Sequence, residues 1–170
     1  MSFTSIPVAG QPLRASVLAA LITELRPLSA LQSGDSAAKS ANTTLSDLTG
    51  FAISVTAGAV YRFRLFLRYN SATAADLKLG WTFPTGLTMA YGADQIAAAG
   101  TAYTWGNFNQ TSNPTFEGAG TGTTRVAYLA GSITVSSTSG VLQLQYAQNT
   151  SDASNTVVKD GTELIAWRTS

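Results

Sequence analysis

Val60-Tyr61-Arg62-Phe63-Arg64-Leu65-Phe66-Leu67-Arg68-Tyr69 alternates large apolar side chains with mostly charged ones. A period of two is the signature of a strand with two unlike faces. Tyr61, Phe63, Leu65, Leu67 and Tyr69 share one face, which must be buried. Arg62, Arg64, Phe66 and Arg68 share the other, and Phe66 makes that face partly apolar as well. A second apolar patch of this kind fits a neighbouring strand or a partner subunit.

The same period continues on both sides of this stretch. Phe51, Ile53 and Val55 alternate before it, and Thr56-Ala57-Gly58-Ala59 turns the chain. After it, Leu77, Leu79, Trp81 and Phe83 share a face, and Pro84-Thr85-Gly86 ends that strand. Leu87–Tyr91 reads as a short strand, 97–100 as a loop, and Tyr103, Trp105 and Phe108 mark a weaker strand. Thr111–Thr123 is rich in Gly, Thr and Asn and reads as a long surface loop. Arg125–Val135, with a kink at Gly131, Val141–Gln148, Val157–Val158 and Glu163–Arg168 complete the set. That is about eight or nine strands with turn signals between them, and no alternation of strand and helix. The expected fold is all-β, a jelly-roll β-sandwich of about eight strands.

The period is different upstream. Leu13, Val17, Leu18, Leu21, Ile22, Leu25 and Leu28 recur at three- and four-residue spacing, which predicts one short helix from Pro12 to about Arg26. Pro27 stops it. Residues 1–11 form an extended arm, and the small polar residues of 29–47 read as an exposed linker. The chain therefore divides into an anchoring segment, 1–47, and a β body, 48–170, that is displayed. Leu18, Leu21, Ile22 and Leu25 are the candidate anchoring or oligomer-interface residues. Their face must pack on the helix's own domain, on sister subunits or on another protein. The run Val17–Ile22 is too short to span a bilayer, and Glu24 and Arg26 close it where a signal peptide would stay apolar.

Composition narrows the chemistry. Lys and Arg number 10 and Asp and Glu 9, a net charge of +1, which is no footprint for nucleic acid or an anionic membrane. Charged residues make up only 11%, so the surface is built from Ser, Thr, Asn, Gln, Gly and Ala. There is no cysteine, hence no disulfide and no thiolate metal site. There is no histidine, which removes the commonest general base and transition-metal ligand. Neither Lys78 nor Lys159 stands in a Ser-x-x-Lys pattern. Asp76, Asp94, Glu117, Asp152, Asp160 and Glu163 could pair as glycosidase carboxylates only if two of them faced one cleft. All but Glu163 fall at loops or strand ends, where charges belong in any β protein. The expectation is a protein that is not an enzyme and takes no cofactor and no metal. Tyr103, Trp105 and Phe108, with Phe116 beyond them, are the candidate ligand-facing aromatics: rings in such a stretch either stack on sugars or plug the end of a sandwich.

Two further stretches carry a resemblance. They are Asp76-Leu77-Lys78-Leu79-Gly80-Trp81-Thr82-Phe83-Pro84-Thr85-Gly86 and Leu142-Gln143-Leu144-Gln145-Tyr146-Ala147-Gln148-Asn149-Thr150-Ser151-Asp152-Ala153, with the closing Lys159-Asp160-Gly161-Thr162-Glu163-Leu164-Ile165-Ala166-Trp167-Arg168. Together they resemble the C-terminal modules of small virion proteins of tailed phages, especially those infecting actinobacteria. Such modules look like the trimeric jelly rolls of the C1q and tumour-necrosis-factor type. The resemblance covers about residues 48–168 and is a pattern of strands, so it transfers no functional residues. It implies a homotrimer of virion origin and leaves residues 1–47 uncovered. With the small size and the helical N-terminal segment, the expectation is a structural protein on the virion surface, a capsid decoration or short head-fibre protein anchored to other virion proteins by residues 1–47. A tail or baseplate component that binds a host surface glycan is the alternative.

Overall fold

The computed structural model describes residues 15–96 and 103–170. The arm expected over 1–11 and the loop expected at 97–100 lie outside the described residues. Helix α1 spans Ala15–Leu25 and is followed by Pro27. The strands are β1 (Leu28–Leu31), β2 (Ser46–Val55), β3 (Val60–Asn70), β4 (Leu77–Thr82), β5 (Thr88–Ile96), β6 (Tyr103–Asn109), β7 (Thr115–Phe116), β8 (Arg125–Thr134), β9 (Gly140–Gln148), β10 (Val157–Val158) and β11 (Glu163–Arg168).

They form two antiparallel sheets. The first runs β1-β11-β3-β8-β5-β6, with β10 also paired to β3; the second runs β2-β9-β4-β7. Without the β5–β6 hairpin and the two-residue β10, each strand but β4 is followed in the chain by one in the opposite sheet, and β4 is followed by β7, its neighbour in the same sheet. The remaining orders are β1-β11-β3-β8 and β2-β9-β4-β7. This nesting of first beside last and second beside next-to-last is a jelly roll. The β5–β6 hairpin is an addition to that frame, inserted between β4 and β7, and it widens the first sheet past β8.

The alternation in β3 does what its sequence requires. Tyr61, Phe63, Leu65, Leu67 and Tyr69 are all buried, while Arg62, Arg64 and Phe66 are exposed. The buried face meets Phe51, Leu77, Leu79, Leu142 and Leu144 of the second sheet in a single core. Phe63 packs edge-on against Trp81 and Tyr91, with ring centroids 6.3 and 5.9 Å apart. Burial pushes the Tyr91 phenol up to about 12.

Two stretches differ from the sequence reading. The sandwich's pairing begins at Leu28, inside the segment read as a linker. β1 pairs with β11, and Ala30 is buried. Beyond it the chain runs as a strap. Gln32, Ser36 and Lys39 donate their N–H groups to Thr162, Val158 and Thr156, and Ala41 donates to Asp152. Small side chains let this segment lie flat, and its partners are more than a hundred residues away, beyond the reach of local pattern. The second stretch is Thr111–Thr123. It contains β7, whose Phe116 is buried with its ring 6.2 Å from that of Tyr69, so this aromatic plugs the sandwich.

Candidate assembly face

The two outer faces of the sandwich are unlike. The second sheet is covered by its own chain. Leu45 lies over Gly80, where a Cβ would come within 2.6 Å of it. Lys78 Nζ donates to the Thr43 carbonyl at 2.7 Å, and Gln145 Nε2 to Asp47 Oδ1 at 2.8 Å. Gln143 Nε2 fills the irregularity in β2 by donating to the carbonyls of Leu48 and Phe51.

Among the described residues, the first sheet has no such cover over β1, β11, β3 and β8. Antiparallel register places Leu31 beside Glu163, Glu163 beside Phe66, and Phe66 beside Tyr128, in one row across four strands. The row continues to Asp94 on β5 and in register to Trp105 on β6. Flanking rows carry Ile165 with Arg64, Trp167 with Arg62, and Arg68 with Val126. Leu31, Phe66, Val126, Tyr128 and Trp167 are between 36% and 61% exposed. They are five of the eight large exposed hydrophobics among the described residues, and Leu18 and Ile22 on α1, which lies beside β11, are two more. Exposed apolar side chains gathered in this way on a low-charge protein make this the candidate assembly face.

Charge on this face is fixed in part. The Arg64 guanidinium sits over the Trp167 ring, 5.7 Å from its centroid. Arg68 donates to the Asp160 carbonyl. Asp94 Oδ1 accepts the Tyr128 N–H at 3.2 Å. The side chains of Arg62 and Glu163 have no hydrogen bond or ion pair among the described residues.

Asp76, Asp160, Asp152 and Asp35 are tied into the fold. Asp76, at φ 53°, accepts the Gly118 N–H at 2.8 Å, and Asp160 accepts that of Gly34 at 2.9 Å. Asp152 accepts the Ser154 N–H at 2.7 Å, and this bond holds its carboxyl below the usual range. The Asp35–Lys159 pair ties the strap to the β10–β11 turn. Among the described residues no three His, Cys, Asp or Glu side chains gather as a metal site, and no helix is long and apolar enough to cross a membrane.

The other sequence-predicted residues separate. Leu18 and Ile22 are exposed on α1; the side chains of Leu21 and Leu25 lie outside the described residues. Phe108 is half-buried against the core, its ring 5.7 Å from that of Tyr91, which accounts for it as a packing residue. Tyr103 and Trp105 belong to β6, opposite Ile96 and Asp94, and their side chains also lie outside the described residues. Tyr128, Val126, Trp167 and Leu31 stand on three strands, so no local period in the sequence groups them. The signal was present in Phe66 alone, the apolar residue among the arginines of β3.

No family model matches the chain, and no curated protein matches it. Among solved structures it is similar to the tripod (BppUct-A-L) from the baseplate of bacteriophage Tuc2009, at 13% identity over 98% of this chain and 74% of that one, with a TM-score of 0.33. It is also similar to the D431N mutant VP2 protein of infectious bursal disease virus in derived T=1 particles, at 10% identity over 83% of this chain and 38% of that one, TM-score 0.20. The VP2 subviral particle of the same virus gives 13% identity over 85% and 40%, TM-score 0.21. The chain thus spans less than half of either VP2 chain. Likenesses at these TM-scores carry no argument about function, and the jelly roll is established by strand order alone.

Proposed function

We propose that this protein is a non-enzymatic structural component of a phage virion, a capsid decoration or short head-fibre protein. In this reading the jelly roll forms a homotrimer through the outer face of its first sheet. The N-terminal segment, with Leu18, Leu21, Ile22 and Leu25, anchors it to other virion proteins, and the body is displayed on the virion surface. The observation that carries self-assembly is the uncovered row Leu31, Phe66, Tyr128 with Trp167 beside it, set against a second sheet that its own chain covers. The virion setting rests on the sequence resemblance of residues 48–168. Mass spectrometry of purified particles should find the protein, and its absence would refute the virion role. Light scattering at micromolar concentration should give three times the monomer mass; a stable monomer would refute the trimer.

The β5–β6 hairpin favours a second reading, a tail or baseplate component that binds a host glycan. It is an addition to the eight-strand frame, and Tyr103 and Trp105 stand on it. A glycan array with the wild type and Trp105→Ala separates the two: equal binding, or none by either, removes the receptor role.

A further inference from the structure

The face read above as the assembly surface carries both signs of charge, and the two that lack partners are well separated. Glu163 stands opposite Phe66 and Arg62 opposite Trp167, four residues along the same pair of strands. At a strand's rise this is about 13 Å, beyond the reach of an ion pair within one chain. The other arginines of the face are engaged, Arg64 by the Trp167 ring and Arg68 by the Asp160 carbonyl. Arg62 and Glu163 therefore stand toward opposite ends of the face, neither of them in an ion pair with a described residue.

We infer that the occupant of this face is a second copy of the chain, and that Arg62 of one copy pairs with Glu163 of the next. This inference rests on the self-assembly reading above and adds its register. A cyclic trimer has a head-to-tail interface, in which one subunit's patch meets a different patch of its neighbour. A surface with a cation at one end and an anion at the other meets that requirement, since each subunit supplies what the next one lacks. Apolar contact among Leu31, Phe66, Tyr128 and Trp167 gives adhesion without direction. The charge pair gives direction, because a slipped or reversed docking sets like charges together or leaves both buried alone. The same logic disfavours an anionic or cationic partner, which would satisfy one end of the face and oppose the other.

The test compares the full-length wild type with Arg62→Glu, Glu163→Arg and the double reversal, by sedimentation equilibrium at low and physiological salt. Each single reversal should raise the concentration at which trimers half-dissociate by about tenfold or more. The double reversal restores opposite charges at every junction and should recover most of the loss. Far-UV circular dichroism establishes that each variant is folded, and Arg62→Gln and Glu163→Gln, which remove a charge without inserting its opposite, should weaken assembly in the same direction. Single variants that assemble like the wild type, or a double reversal no better than the singles, would overturn the pairing while the trimer stood. A wild type that stays monomeric would overturn the pairing and the assembly reading together.

Discussion

Gln148 is completely buried, yet its amide is fully bonded. Its Oε1 accepts the N–H groups of Asn42 and Asp152, and its Nε2 donates to the carbonyls of Asp152 and Ser154. One side chain thus fastens the strap and the 149–155 loop to the end of β9. Gln148→Leu is close in volume and strips these bonds from buried backbone, so it should cost about 3 kcal/mol, measured by urea unfolding; a loss within experimental error would show that water replaces the amide. Asp35 makes a second clasp, and this one titrates. The hydrogen bond from Lys159 Nζ, and after it the Asp160 N–H, holds its carboxyl below its ordinary 3.8. Because the folded value is depressed, the stabilisation is fully present above 3.8 and fades as pH falls through the lower folded value. The Asp35 side-chain carboxyl carbon resonance should therefore titrate with a midpoint below 3.8, and Lys159→Met should move that midpoint up. A midpoint at or above 3.8 in the wild type would contradict the clasp.

At the scale of elements, Gly131 shows how closely β8 and β5 are fitted. A Cβ there would lie 2.2 Å from the Ala90 carbonyl oxygen and 2.5 Å from the Tyr91 Cβ. The Phe63 and Tyr91 rings stand on the two neighbouring strands in register with it and fill the space it leaves. Backbone cannot step aside as a flexible side chain can, so Gly131→Ala should destabilise by about 1–3 kcal/mol with the β-type circular dichroism retained. An unchanged urea midpoint would mean that the sheet opens there at no cost. The sequence shows a glycine inside a strand but not what approaches it. That contrast is general in this chain. The alternating faces of β3, β4 and β9 were legible because each is a local period. β1, the strap and β7 were not, because short runs such as Leu28–Leu31 and Thr115–Phe116 become strands only beside distant partners. The assembly face was half legible: Phe66 among arginines announced a second apolar surface, while Tyr128 and Trp167 joined it through register.

For the whole molecule, the question is where the folding unit begins, and hydrogen bonding places that point at Leu28. Removing residues 1–26 takes away α1 with its exposed Leu18 and Ile22 and leaves every strand pairing of both sheets in place. Removing residues 1–47 also strips β1 from β11, withdraws the strap's bonds to Thr156, Val158 and Thr162, and leaves Gln148 without Asn42. It also uncovers Gly80 by removing Leu45, and takes Ala30 out of the core. The shorter truncation should melt as cooperatively as the full chain in circular dichroism, while the longer one should lose its cooperative transition. On the proposed anchoring role, the 1–26 truncation should still assemble through Phe66, Tyr128 and Trp167 but fail to bind particles lacking the protein. Each outcome has its own meaning. Loss of folding in the shorter truncation would make α1 part of the core. Loss of the trimer alone would make α1 part of the subunit interface, beside β11. Retained particle binding would move the anchor out of the N-terminal segment and into the jelly roll itself.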